Sequence, residues 1–307
     1  MKKFTRILIW TAGVFVALII VALILLKIFL PVEKIKALAI EQGTARLGRE
    51  ISVEGLDLSI WGGLGVELLK VRIGNPAGFE GDHFLTAEKV DLKLQLWPLI
   101  FGDFRVDRLV IEKPNVDLVK TKSGLVNYSF AVDTTLVPQQ VREIPAEGQA
   151  AAMVVSFEEL EIKDGLLSYR DDSTGQSLRV AGLNLASSLA YPHTGLYQSA
   201  GRLQADTVLV SAEKPYPPVS VDLNYRAAFD LPTGALTIEN VNARINALRL
   251  KLSGQLVGLP KFKSASFNVG TDQVSISDVL SLLPPDKLTK LSDYNVAGNF
   301  TLDFSLS

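Results

Sequence analysis

Between residues 87 and 96 the chain reads A-E-K-V-D-L-K-L-Q-L, and from Lys89 onward polar and apolar positions alternate without a break. Val90, Leu92, Leu94 and Leu96 fall on one side of an extended backbone, and Lys89, Asp91, Lys93 and Gln95 on the other. Successive side chains of a strand point to opposite faces, so this spacing predicts a half-buried β-strand. The period of two recurs from Ile51 onward. Short strands are predicted at 105–111 and 115–119, with Pro114 as a breaker between them. Apolar pairs flank Asp164-Gly165, which reads as a hairpin, and a second turn is expected at 172–175. Val219, Val221, Leu223, Tyr225 and Phe229 share a face, as do Leu248, Leu250 and Leu252. Further strands are expected at 237–241, 246–252 and 264–269. Phe300, Leu302, Phe304 and Leu306 alternate with polar residues in a last strand over 296–306.

About twelve to fourteen strands are expected in all, without regular crossover helices between them. The fold class is therefore mainly β: a long antiparallel sheet with one apolar and one polar face, plus short helical turns. One such turn is expected at 277–283, capped by Ser277 and ended by Pro284-Pro285, with a second at 287–291. The apolar face must be covered, and a closed barrel, a second sheet or a lipid would each do it. The last strand runs to Ser307 with no turn or cap, which suggests that the natural protein or its assembly continues further.

The N-terminus breaks the β pattern. Ile7 to Leu26 is a twenty-residue apolar run interrupted only by Thr11 and Gly13. At a rise of about 1.5 Å per residue it spans about 30 Å, the thickness of a bilayer core. It is longer than a secretory signal core and lacks a small-residue cleavage site, so residues 1–30 read as an uncleaved single-pass anchor. Lys2, Lys3 and Arg6 before it favour a cytoplasmic N-terminus, with the body across the membrane. Residues 31–50 read as an amphipathic cap helix. The remainder divides into a β region over 51–137, a polar, alanine-rich loop or linker at 138–152, and a second part of the same sheet over 153–307.

Charge and composition exclude several function classes. Residues 1–30 hold four basic groups and no acidic one, leaving 27 basic against 33 acidic, a net −6 that speaks against a nucleic-acid surface. The chain has no cysteine, which removes disulfides, thiol nucleophiles and cysteine-ligated metals. Its two histidines, His83 and His193, stand in turn-like contexts without partners at ligand spacing. Glu158, Glu159 and Glu161 read as a solvated strand face, and Asp171-Asp172 as turn chemistry. Asn127-Tyr128-Ser129 and Asn299-Phe300-Thr301 match the glycosylation triplet but carry little weight here. No P-loop, dinucleotide fingerprint or nucleophile elbow occurs. The expectation is a protein that is not an enzyme and uses no cofactor or metal.

Several segments together resemble the AsmA family. They are Val71 to Phe79 (V-R-I-G-N-P-A-G-F), the strand at 87–96 followed by Trp97-Pro98-Leu99-Ile100-Phe101-Gly102, and Val106 to Val116 (V-D-R-L-V-I-E-K-P-N-V). Ile162 to Tyr169 with Asp171 and Asp172, the anchor, and Gly48-Arg49 after the cap helix are also similar. The resemblance implies a Gram-negative inner-membrane protein with a periplasmic body, similar to bridge-like lipid-transfer proteins. Their sheets form a long groove whose apolar interior carries phospholipid acyl chains between membranes. Members are often much longer than this chain. The expected lining is Val90, Leu92, Leu94, Leu96, Val219, Val221, Leu223, Leu248, Leu250, Leu252, Phe300, Leu302 and Phe304, although the same residues would also suit a closed core. The expected partners are membrane phospholipids and the inner membrane, with another envelope protein at exposed edge strands. The competing expectation is a non-catalytic scaffold that assists outer-membrane protein assembly.

Overall fold

The computed structural model describes residues 32–59, 64–95, 106–129, 157–193, 195–259, 263–289 and 296–306. The expected anchor over 1–30 and loop over 138–152 lie outside the described residues. Among the described residues no helix is long and apolar enough to cross a membrane.

The first element is α1 (Val32–Leu47). Gly48 ends it with φ 63° and donates its N–H to the Thr44 carbonyl at 2.9 Å, the left-handed stop that glycine adopts without a Cβ penalty. Five strands follow: β1 (Ile51–Ser59), β2 (Leu64–Gly74), β3 (His83–Leu94), β4 (Val106–Glu112) and β5 (Asn115–Lys120). The three longest come next, β6 (Phe157–Asp171), β7 (Gln176–His193) and β8 (Leu196–Ser211), followed by β9 (Val219–Asp230). Then come β10 (Ala235–Ile245), β11 (Leu248–Val257), β12 (Ser264–Thr271) and the short β13 (Val274–Ser275). Two short helices, α2 (Ile276–Leu280) and α3 (Pro285–Thr289), precede β14 (Asn299–Phe300) and β15 (Asp303–Leu306).

Thirteen strands make one sheet in the order β1-β2-β3-β4-β6-β7-β8-β9-β10-β11-β12-β15, with β5 continuing the line of β4 between β3 and β6. Among the described residues the path is open: β1 and β15 are its two ends, and the two strands do not pair to close it into a barrel. The sheet is antiparallel except where β4 and β5 pair with β6 in parallel. A parallel neighbour needs a long crossover, and the chain between Lys120 and Phe157 supplies it.

The Asp164-Gly165 hairpin expected from the sequence is not formed. β6 runs straight through it. Asp164 adopts φ 53°, its N–H is taken by the Asn184 side chain at 3.0 Å, and the register to β7 shifts on either side of Gly165. The dipeptide serves a bulge instead, which inserts one residue and resets the alternation. Lys70 in β2, Lys113 between β4 and β5, and Gly182 in β7 also have positive φ, and β8 shifts register between Ala205 and Val208. A crease therefore crosses successive strands. At it the apolar spacing steps from two to three, as from Val53 to Leu56, Leu68 to Val71, Ala87 to Val90 and Ala205 to Val208. The bulge keeps both halves of each strand apolar on the same side. Val53, Val71 and Ala87 beyond the crease accordingly pack with Leu68, Val90 and Ile111 on its other side.

Two helix details also differ from expectation. The cap of α2 is Ser275, whose hydroxyl accepts the Ser277 N–H at 3.2 Å, so Ser277 lies inside the helix. The second turn begins at Pro285, where the missing proline N–H costs nothing.

Candidate functional site: the apolar face of the sheet

Directly opposed residues on neighbouring strands share a face, so the register can be followed from edge to edge. One row runs Leu56, Leu68, Val90, Ile111, Ile162, Leu185, Leu203, Leu223, Ala243, Leu250, Thr271. Every strand it crosses before β12 contributes an apolar residue. A second row, two residues along each strand, runs Leu58, Val66, Leu92, Leu109, Leu160, Ser187, Gly201, Tyr225, Val241, Leu252, Val269, Phe304. A third, beyond the crease, joins Ile51, Ile73, Leu85, Val116, Leu167, Val180, Val208 and Val219.

The opposite face is mainly polar. Arg202 forks onto the Asp222 carboxylate with Nε at 2.9 Å and Nη2 at 2.8 Å, and Arg244 donates to it at 3.0 Å. These guanidinium groups hold Asp222 below the usual carboxylate range, the Arg202 hydrogen bond being the larger cause. Arg108 bridges to Glu161 at 2.6 Å, and Lys89 to Glu67 at 3.3 Å. Glu159 and Glu161 therefore belong to a solvated, ion-paired strand face.

Burial along the apolar face is uneven. On this face Val53, Leu56, Leu58, Val71 and Ala87 of β1–β3 are buried. Val106 is buried at the start of β4, and Phe84 and Val110 are buried on the opposite face, Val110 between Asp91 and Glu161. From β6 to β12 Ala205 is the one buried apolar residue among those described. α1 accounts for part of this difference, because its Ile40 packs on the Val53–Val71–Ala87 cluster. The close backbone approaches among strands run between sheet neighbours, and the first row is half-buried from Ile162 to Leu250. At one end of the face Tyr191 and Tyr197 meet edge-on with ring centroids 5.2 Å apart, and both are exposed.

The expected lining residues distribute as follows. Val90, Leu92, Val219, Leu223, Leu250, Leu252 and Phe304 stand in the three rows. Val221 opposes Ala205 and Ile245, and Leu248 opposes Ile245, in a row between the first and third. The Leu94 backbone pairs with Leu64 and Val106. Leu96 lies outside the described residues. Phe300 and Leu302 are not part of the large sheet. Phe300 pairs with Val274 in a separate two-stranded sheet, and Leu302 lies in the link to β15, held through its backbone by Thr271. The single last strand expected there is broken in two at 301–302, because Thr271 takes the Leu302 N–H with its hydroxyl.

Sequence reasoning placed Tyr225 on this face but missed Ser187, Ser199 and the contact among the three. Ser187, Ser199 and Tyr225 come from β7, β8 and β9, and their hydroxyls form a triangle: Tyr225 donates to Ser187 at 2.8 Å, Ser187 and Ser199 are 3.0 Å apart, and Ser199 and Tyr225 3.1 Å. The Tyr225 ring covers Gly201, where a Cβ would stand 3.1 Å from ring atom Cε1. The available signal was a tyrosine and a serine at positions whose period-two neighbours are all aliphatic.

The residues flagged for other chemistry do not gather into a site. His83 is exposed at the start of β3, and the His193 backbone closes β7, so both end strands rather than lie in turns. Asp171 is buried and organises the turn to β7. Its carboxylate accepts from the Ser173 N–H at 2.9 Å and from Lys120 at 2.9 Å. The Ser173 hydroxyl bond first, and Lys120 second, hold this carboxyl well below the usual range. Asn127 is fully buried, with its side chain bonded to Asn75, the Asp117 carbonyl and the Val119 N–H at 2.9, 2.8 and 2.7 Å. It is a structural keystone, inaccessible to modification in the fold.

An open, mainly antiparallel sheet with one continuous apolar face defines the class of protein. The AsmA family model matches residues 1–213, and the chain belongs to the AsmA family. No curated protein sequence matches it.

Proposed function

We propose that this protein is a membrane-anchored lipid carrier whose apolar face acts as a trough for phospholipid acyl chains. The observation that carries the reading is the row from Leu56 to Leu250, apolar on every strand it crosses and only half-buried from Ile162 onward. Each CH₂ removed from water is worth about 0.8 kcal/mol, so acyl chains gain by lying there while their headgroups stay wet. Strands spaced about 4.8 Å apart make a twelve-strand path of about 55–60 Å. Near-uniform aliphatic lining suits passage, since a chain moving along it meets small differences between positions. The mechanism needs no catalytic residue, cofactor or metal. The apolar run over residues 7–26 would anchor the protein in the bacterial inner membrane with its body in the periplasm, where it would contribute to lipid transport and outer-membrane homeostasis.

A second reading rests on β15. Its Phe304 and Leu306 are each 51 % exposed on a terminal strand of the sheet, a template for strand addition by another envelope protein. A scaffold of this kind would assist outer-membrane protein assembly without carrying lipid.

The two readings separate on the full chain purified in mild detergent, with retained phospholipid counted by native mass spectrometry. Leu223→Asp places a charge in the first row, and Asn224→Asp places the same charge on the polar face one residue away. A lipid carrier loses phospholipid in the first variant and keeps it in the second. Equal retention in both, with partner capture lost in Ser305→Pro at the β15 edge, would favour the scaffold.

A further inference from the structure

The second apolar row changes character at one place. Between Leu160 and Val241 it passes through Ser187, Gly201 and Tyr225, and the Ser199 hydroxyl joins them from the adjacent row. Apolar residues border this spot on both sides along the strands: Leu185, Leu203 and Leu223 in one direction, Leu189 and Ala227 in the other. Ser187 is buried. The three hydroxyls supply three donors and make three mutual bonds, so the triangle satisfies its own protons while each oxygen retains acceptor capacity. No charged side chain stands in the row.

We propose that Ser187, Ser199 and Tyr225 form a subsite for the ester carbonyl of a glycerolipid on the apolar face. The proposal rests on the acyl-sheltering reading above and specifies what that face recognises. A phosphate or carboxylate would call for Arg or Lys, which the row lacks. An alkane chain would call for neither hydroxyl nor tyrosine. The ester carbonyl is the uncharged acceptor at the head of an acyl chain, and it suits an uncharged donor bordered by aliphatic side chains. Tyr225 is the natural donor: turning its O–H from Ser187 to the carbonyl exchanges one hydrogen bond for another, which leaves the count unchanged. Gly201 beneath the ring holds the tyrosine flat against the sheet, since any side chain there would strike both the ring and the Ala186 carbonyl. The subsite would pause a lipid by its ester while its chains lie along the neighbouring rows.

The test uses the full chain reconstituted in vesicles of equimolar diacyl phosphatidylethanolamine and its dialkyl ether analogue, which lacks the carbonyls. A photoactivatable residue replaces Val241, the neighbour of Tyr225 in the row, and the captured lipid is identified by mass spectrometry. The expected capture ratio is about fivefold in favour of the diacyl lipid, falling to about one in Tyr225→Phe, which keeps the ring and removes the donor. A ratio near one in the unmodified row would overturn the ester subsite while leaving the lipid trough standing. An unchanged preference in Tyr225→Phe would do the same. Absence of any lipid adduct at position 241 would overturn both.

Discussion

Arg49 donates through Nη2 to the backbone carbonyl of Asn127, 78 positions away, and its guanidinium lies 4.4 Å over the Phe84 ring. The contact joins the end of α1, the start of β3 and the segment after β5. Arg49 is 5 % exposed, and burial lowers its pKa from the ordinary arginine value. Asn127 in turn holds Asn75, whose amide donates to the Gly81 carbonyl at 3.0 Å. Arg49→Ala leaves Asn127 and Phe84 with a cavity and a lost charge-assisted bond. It should cost about 3 kcal/mol, read as a lowered midpoint in thermal melting. Arg49→Lys should recover only part of that, because an ammonium does not reproduce the flat stacking of a guanidinium.

Gly201 pairs with Ser187 of β7 and lies under the Tyr225 ring. A Cβ there would strike the Ala186 carbonyl and stand 2.9 Å from the Ser187 Cα, both of them backbone. Gly201→Val should destabilise by about 2–4 kcal/mol, whereas Gly175→Ala at an open turn should cost only its positive-φ strain of about 1 kcal/mol. Limited proteolysis of the two variants under the same conditions separates them.

Asp171 makes stability depend on pH in the acid range. Its folded pKa is depressed by Ser173 and Lys120 below its unfolded value of about 4. The stabilisation is therefore complete above the unfolded value and is lost as pH falls toward the folded one. The melting-temperature gap between the wild type and Asp171→Asn should be constant from about pH 6 to 8 and shrink steadily below about pH 4. A gap that widens on acidification would contradict the assignment.

Phe304 and Leu306 test the edge. Both are exposed, so the double substitution to lysine should change stability by no more than about 0.5 kcal/mol. It should also reduce strand-mediated association of the purified chain, measured by analytical ultracentrifugation. A large fall in the melting temperature would mean that β15 is covered rather than free.

Much of the sheet can be read from the alternation itself. Val90 and Leu92, Val219 to Leu223, and Leu248 to Leu252 declare both their strands and their shared face, because a period of two has one structural meaning when it persists. The crease is harder to see. Asp164-Gly165 suits a type I′ turn and a bulge equally well, since both need positive φ, and only pairing with β4, β5 and β7 decides between them. Recurrent three-residue steps such as Val53 to Leu56 and Ala87 to Val90 were the clue that the interruption belongs to the whole sheet. β8 escaped notice because Gly201, Arg202 and Gln204 dilute its apolar positions. The hydroxyl triangle is invisible in one dimension: Ser187, Ser199 and Tyr225 become neighbours only through the registers of three strands. The Arg49–Asn127 contact is hidden for the same reason.

The central claim is that one face of this sheet carries acyl chains, and β9 offers the most direct test. A photoactivatable residue placed in turn at each position from 219 to 229 of the full chain, in native membranes, reports which side meets lipid. Phospholipid adducts should alternate with a period of two, strong at 219, 221, 223 and 227 and absent at 220, 222, 224 and 226. Adducts without that alternation, or none along the strand, would contradict it.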